Sequence, residues 1–316
     1  MTTLKSSGSN KNNKIICLRP ESDFEEFGEV APSHFNVIYL SPNDRSLIRK
    51  ASDASVLLIP AVGPKISNDI FSKTSLKMVQ VTGAGIDRLD QDFCARNNIK
   101  VCNVLGASAK SVAEYCIFAA LTISRRLSKT TDEILSGNYK ELRGNIIQDR
   151  MFSLSGLTLG VIGFGSIGQE TAKMFSALGC QIQYYDPSDP KVAENLSQIA
   201  VKNGKAELLR TSDIISIHVP LIDQTKNLIS MQEFSLMKKT SILLNASRGG
   251  VVDEHALSQA IQDKKIKGAA IDVFTSEPPE KNNPLLNLPD EFRDNIILTP
   301  HIGGITAQSW SQLFSR

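Results

Sequence analysis

The chain has 316 residues, enough for about two domains of ordinary size. With 41% hydrophobic and 22% charged residues it reads as globular, which excludes extensive disorder and a coiled coil. A formal charge of +2 without a dense Lys/Arg block excludes nucleic acid as an expected partner, and the longest nearly apolar run, Cys116 to Ile123, is too short to cross a bilayer.

The polar start, residues 1–13, is read as a disordered tail without the apolar core of a secretory signal, and a cytoplasmic location is expected. The cysteines Cys17, Cys94, Cys102, Cys116 and Cys180 are odd in number and form no C-x-x-C pair. Neither a disulfide framework nor a metal site is indicated, so reduced and mostly buried thiols are expected.

From Lys14 the pattern alternates strand and helix. Strands are predicted at Ile15 to Leu18, Asn36 to Leu40, Ser55 to Ile59, Met78 to Val81 and Lys100 to Cys102, with helical segments such as Asp44 to Ala51 and Gln91 to Asn97 between them. Repeated βα units imply a parallel sheet covered on both faces. Past the fourth strand, Gly83 and Gly85 flank Ala84 in a short loop whose open N–H groups suit a carboxylate; a plain turn is the competing reading. A long helix over Ser111 to Ser136, closed by Gly137, is expected to bridge two domains.

The second domain opens on Leu159-Gly-Val-Ile-Gly-Phe-Gly-Ser-Ile-Gly168, an apolar strand followed by Gly163, Gly165 and Gly168 at G-x-G-x-x-G spacing and a helical pattern, Gln169 to Leu178. A helix N-terminus offers free N–H groups and the positive end of its dipole to a pyrophosphate. Gly163 permits the turn, Gly165 lets the backbone approach the phosphates, and Gly168 lets the helix pack on the strand. Three glycines in a strand-turn-helix can also be purely structural, but the next strand, Gln181 to Tyr185, ends in Asp186, 18 residues past Gly168. A carboxylate there accepts from the ribose hydroxyls of NAD and repels the extra phosphate of NADP.

Further strands are predicted at Ile214 to His218, Ser241 to Asn245, Gly268 to Asp272 and Ile296 to Thr299, six in this domain, with helices over Ser230 to Lys238 and Glu254 to Asp263. A doubly wound sheet binds its ligand outside the carboxyl ends of its strands. Those ends hold Asp186, His218-Val219-Pro220, Arg248, Asp272 and His301. Arg248, before two glycines, can grip a carboxylate through two parallel hydrogen bonds, where a surface ion pair is the bland alternative. His301 is the natural acid/base of the crevice, where a structural histidine is the alternative. Glu277, in an extended loop after another strand end, is placed to pair with that imidazole, orient it and raise its pKa. His218 lies where a cofactor would pass, whereas His34 and His255 lie in polar settings. These groups fit hydride transfer between a 2-hydroxy acid and a nicotinamide.

The motifs GFGSIG with Asp186, HVPL with Thr225, NASRGGVVDE, AAIDVFTSEP and TPHIGG together resemble the NAD-dependent D-2-hydroxyacid dehydrogenases over about Val56 to Ile305. The resemblance implies an α/β fold of two doubly wound parallel-sheet domains: a Rossmann cofactor domain (107–301, with the bridge helix) inserted in a smaller flavodoxin-like substrate domain (14–106 and 302–316). It implies Arg248, Glu277 and His301 as the catalytic set. Cofactor contacts are implied at Gly163, Gly165, Ser166, Ile167, Gly168, Asp186, His218, Val219, Pro220, Thr225, Ala246, Ser247, Arg248, Asp272, His301 and Gly303. Substrate contacts are implied at Gly83, Ala84, Gly85, Arg248 and His301. Cofactor and assembly follow as NAD and a homodimer joined through the cofactor domain.

Departures bear on substrate. Relatives acting on 3-phosphoglycerate carry an Arg after the third strand, where this chain reads Ile59-Pro-Ala-Val-Gly63, with Lys65 as a substitute; the N-x-P pattern before the bridge helix reads Asn103-Val-Leu105. Only Ile302 to Arg316 follow His301, where relatives continue into a longer helix returning to the first domain, so either a shortened chain or a differently covered first domain is expected. Some superfamily members are NAD-sensing corepressors, which stands as the alternative function.

Overall fold

The computed structural model describes residues 13–149, 151–188 and 190–315, so the tail expected over 1–13 lies almost wholly outside the described residues. The chain forms two compact units: the described residues up to Ala107 with those from Ala307 onward, and Ser108–Thr306. The second crossing thus falls after Thr306, a few residues beyond the position expected from sequence.

The first unit holds β1 (Lys14–Cys17), β2 (Asn36–Tyr39), β3 (Val56–Pro60), β4 (Met78–Thr82) and β5 (Lys100–Asn103), all parallel in the order β2-β1-β3-β4-β5. That is the flavodoxin-like order. Its core gathers Ile16, Leu57, Ile59, Val79 and Val81 with helix residues such as Ile70 and Phe71. The helix Ala307–Phe314 belongs to this unit: the Phe24 and Phe314 rings lie 4.7 Å apart, and the Arg19 guanidinium sits over Trp310 and Phe314 at 5.2 and 4.9 Å. After the crossing, this unit is covered by a short helix of eight residues.

The second unit holds β6 (Thr158–Ile162), β7 (Gln181–Tyr185), β8 (Ala200–Lys202), β9 (Ile214–Ile217), β10 (Ile242–Asn245), β11 (Gly268–Ile271) and β12 (Ile296–Leu298), in the order β12-β11-β10-β9-β6-β7-β8. This is a doubly wound Rossmann sheet with its switch point between β6 and β9. Strands β9, β10 and β11 are buried at every residue, as strands covered on both faces must be. One face packs Leu209, Phe234, Leu257 and Ile261; the other packs Phe175 with Cys116, Ala120 and Ile123 of the helix Ala109–Arg125. The six strands β7, β6, β9, β10, β11 and β12 end in register, Tyr185 beside Ile162 beside Ile217 beside Asn245 beside Ile271 beside Leu298.

Two expectations are corrected. The second sheet has seven strands, because β8 was missed: it is three residues long, sits at the sheet edge and shows two exposed side chains, so it carries no apolar signature. The bridge helix does not run from Ser111 to Ser136. It spans Ala109–Arg125 and stops at Arg126, which takes a left-handed φ of 53°, while Leu127 N–H reaches back to Thr122 O at 3.0 Å; a separate helix, Thr130–Leu135, follows. That closure usually calls for Gly, and an Arg adopting it gave no stop signal. All five cysteines are free, four of them buried, and burial pushes the Cys17 and Cys116 thiols up to about 11 and about 12.

Trp310→Ala removes the cation–π contact and the ring packing against Phe27 and Phe314. A loss of about 2 kcal/mol from the first unit is expected in a urea melt. A midpoint within error of the parent would show that the helix Ala307–Phe314 contributes nothing to that unit.

Candidate active site

The glycine loop connects β6 to the helix Ser166–Ala177. Gly163 has a φ of 91°, and a Cβ there would stand 2.6 Å from the His218 carbonyl oxygen. At Gly168 a Cβ would meet the Gly163 oxygen at 2.1 Å, so helix and turn touch only because no side chain intervenes. Gly165, the residue capping this twelve-residue helix, differs: a Cβ there would meet nothing within 4 Å, and no side chain caps the helix. An uncapped helix start beneath open space is what a pyrophosphate requires. Ser166 and Ile167 form the first turn, with Ile167 packed against the core.

Asp186, just past β7, leans over this loop. Its Oδ2 accepts from Phe164 N–H at 2.8 Å, and its Oδ1 accepts from Ser188 N–H and hydroxyl at 2.9 and 2.6 Å. The carboxylate is thus held at the strand end beside the glycine turn, with acceptor capacity remaining for a hydroxyl. After β9, Val219 is buried against Gly163, while Pro220 and Thr225 lie in an exposed loop closed by the Thr225 hydroxyl donating to Pro220 O at 2.6 Å. The His218 ring shares a 2.8 Å hydrogen bond with Ser216 through Nε2, and its buried Nδ1 has no hydrogen-bond partner among the described residues.

Arg248 follows β10 in a turn where Asn245 Oδ1 accepts from Ser247 N–H and hydroxyl at 3.1 and 2.7 Å, with Ala246 between them. Its Nη1 donates to Ser247 O at 2.6 Å. Gly249 brings this turn against the loop after β11: a Cβ would stand 1.8 Å from Phe274 O, so only glycine is accommodated. In that second loop Glu277 Oε1 accepts from Phe274 N–H at 3.1 Å, and its Oε2 pairs with His301 Nδ1 at 2.9 Å. Burial pushes the Glu277 carboxyl up, but the bonds from His301 and Phe274 and the charges of His301 and Arg248 outweigh it and hold it below its ordinary value.

His301 sits after β12 with a left-handed φ of 55°, its N–H donating to Asp272 O at 2.8 Å. Asp272, only 1% exposed, holds the same turn through its carboxylate, which accepts from Gly303 N–H at 2.8 Å. Arg248, Glu277 and His301 thus come together, with Asp272 and Gly303 behind them. In the first unit, the turn after β4 holds Gly83, with a φ of 155° and a position where an added Cβ would stand 2.4 Å from Ala61 Cβ, so no side chain is admitted; Ala84 and Gly85 follow. Asn103 Nδ2 donates to Ala84 O at 2.6 Å. That bracing role, like those of the Tyr115, Ser216 and Thr299 hydroxyls, is not legible in the sequence, because a motif or a strand or helix pattern does not say which distant polar atom a side chain will meet. His34 and His255 are exposed, as expected.

The profile described as "D-isomer specific 2-hydroxyacid dehydrogenase, NAD binding domain" matches residues 117–303. The chain is 38% identical to the D-3-phosphoglycerate dehydrogenase of Methanocaldococcus jannaschii, over 90% of this chain and 51% of that protein, so it spans about half the length of that relative. It is 35% identical to the hydroxypyruvate reductase of Thermotoga maritima, over 83% of this chain and 82% of that one. Among solved structures, D-lactate dehydrogenase of Aquifex aeolicus, complexed with NAD and lactic acid, matches with a TM-score of 0.80 at 29% identity, covering 96% of this chain and 92% of that one.

Two outcomes are expected. Gly249→Ala, which forces the Arg248 turn away from the Phe274 carbonyl, lowers stability by at least ~2 kcal/mol in a thermal melt; an unchanged melt would refute the close approach. Burial pushes His218 from an ordinary 6.5 to about 3, so the folded ring is neutral while the unfolded one binds a proton. Its contribution to stability is complete above pH 6.5 and is lost as pH falls toward 3. Over that window His218→Gln is expected to lose less stability than the parent, measured by urea titration at several pH values; parallel losses would contradict the burial argument.

Proposed function

The chain belongs to the D-isomer-specific 2-hydroxyacid dehydrogenase family, whose matched domain binds NAD, and from that premise we propose that it interconverts a small D-2-hydroxy acid and its 2-keto acid. One observation carries this reading: His301 Nδ1 lies 2.9 Å from Glu277 Oε2, in a carboxyl-end cluster with Arg248.

The open helix start at Gly165 and the Asp186 carboxylate fit a dinucleotide. In this reading the Gly163–Gly168 turn, Ser166 and Ile167 hold the pyrophosphate, and Asp186 the adenosine ribose. Val219, Pro220, Thr225, Ala246, Ser247 and Asp272, with Gly303, complete the wall, and the unpartnered His218 Nδ1 offers a buried polar contact. NAD bound there supplies the hydride acceptor, or as NADH the donor.

The residues do the rest. Glu277 engages His301 Nδ1, orienting the ring so that Nε2 exchanges the proton of the substrate oxygen. In the oxidative direction that nitrogen takes the hydroxyl proton; in reduction it gives a proton to the carbonyl oxygen. Arg248 holds the carboxylate and polarises the carbonyl. The Gly83–Gly85 backbone is assigned as a second carboxylate nest, in the substrate unit. Assembly as a homodimer through the cofactor unit is part of this reading, supported by the helices Thr130–Leu135 and Tyr139–Gln148, neither of which buries a residue, and which expose Ile134, Leu135, Tyr139 and Ile147. A corepressor-like role stands as the second reading; the assembled Arg248, Glu277 and His301 favour turnover.

His301→Ala is expected to leave NADH binding nearly intact, by fluorescence titration, while turnover falls at least ~100-fold; turnover within a few-fold of the parent would remove His301 from the acid/base role. Asp186→Ala should weaken discrimination against NADP in steady-state kinetics, and an unchanged preference would mean that the ribose contact lies elsewhere.

A further inference from the structure

We propose that Tyr115 and Thr299 are positioning residues for His301, acting through Asp272, and this rests on the acid/base role assigned to His301. Tyr115 lies in the helix Ala109–Arg125, whose buried face is mainly apolar and which also ties Ser111 Oγ to Thr306 Oγ1 at 2.7 Å. Its hydroxyl oxygen is 2.7 Å from Thr299 Oγ1, and Thr299 Oγ1 donates to Asp272 Oδ1 at 2.6 Å. The same Oδ1 accepts from Ile302 N–H at 2.9 Å, while Oδ2 accepts from Gly303 N–H at 2.8 Å. His301 is therefore bracketed: the residue two before it and the two after it are tied to one buried carboxylate, and its own N–H is tied to the carbonyl of the same residue.

Proton inventory sets the direction of the chain. An ionised carboxylate only accepts, so the single Thr299 proton goes to Asp272, and Thr299 must then accept from Tyr115. Burial pushes the Tyr115 phenol well above its ordinary value, which keeps it a donor. The ring does a second job, since a Cβ on Gly303 would meet Tyr115 Cγ at 3.3 Å and Asp272 Oδ2 at 3.0 Å. The turn after β12 is thus pressed between an aromatic face and a carboxylate.

This arrangement answers a need of the site. A non-glycine residue with a left-handed φ of 55° is strained, and it keeps that conformation only if its surroundings impose it. The hydroxyl relay is what imposes it, and the bridge helix anchors the relay. Slackening the relay lets the imidazole drift from Glu277, and small misplacement of an acid/base is expensive in rate.

Amide hydrogen exchange and steady-state kinetics on the whole protein test this together. Tyr115→Phe and the near-isosteric Thr299→Val are expected to speed exchange at Ile302 and Gly303 by about tenfold and to lower kcat by about tenfold or more, with little change in KM for the keto acid. Thr299→Ser, which restores the hydroxyl, should recover both readouts to within about threefold. If both hydroxyl deletions leave exchange and kcat at parental values, or if Thr299→Ser behaves like Thr299→Val, the positioning role is overturned. The exchange readout needs no turnover: faster exchange in the two variants, with the parent protein inactive on every keto acid, would retain the relay and remove the proposed reaction.

Discussion

The site depends on one geometric constraint, the common register of the parallel strands in the larger unit. Because Asn245, Ile271 and Leu298 stand side by side at the ends of β10, β11 and β12, the three loops that follow leave the sheet at one level. Each then carries one polar group a few residues on: Arg248, Glu277 and His301. Gly249 lets the first two loops touch, with the Phe274 oxygen occupying the space a side chain would need. The apolar strands buy this convergence by burial on both faces, and the chemistry is confined to loops outside them.

Electrostatics at this edge follow from burial set against partners. Partial desolvation of the Glu277 carboxyl alone would favour its neutral form, yet His301, Phe274 N–H and Arg248 favour the charged one. His218 meets the opposite outcome: nothing offsets burial, so its ring stays neutral and acts as a hydrogen-bonding group rather than an acid. Two histidines at carboxyl ends of the same sheet, one after β9 and one after β12, therefore differ because one faces a carboxylate and the other a serine. Asp272 shows a third solution, a buried carboxylate satisfied by a threonine hydroxyl and two backbone N–H groups.

Most of the architecture was legible because parallel strands buried on both faces read as apolar runs, and because G-x-G-x-x-G after such a run has a mechanical meaning. Both sheets were visible on that basis, apart from β8, whose exposed edge position removes the apolar signal. The break at Arg126 was hidden because a left-handed cap filled by arginine looks like an ordinary helical residue. Within the site, the charged groups at the strand ends were readable from residue type and position. The relay from Tyr115 to Thr299 was not, since it joins residues 184 apart in sequence that meet only once a helix lies across a strand end.

The proposed reaction assigns Arg248, Glu277 and His301 to binding and protonating a 2-keto acid while NADH gives the hydride. NADH oxidation followed by absorbance, with glyoxylate, hydroxypyruvate, pyruvate, a branched 2-keto acid and phosphohydroxypyruvate in turn and the product resolved on a chiral column, tests it most directly. Stoichiometric NADH loss is expected with at least one keto acid and, where the product is chiral, the D enantiomer. Tight NADH binding without oxidation by any of them would contradict it and favour a protein that senses the cofactor.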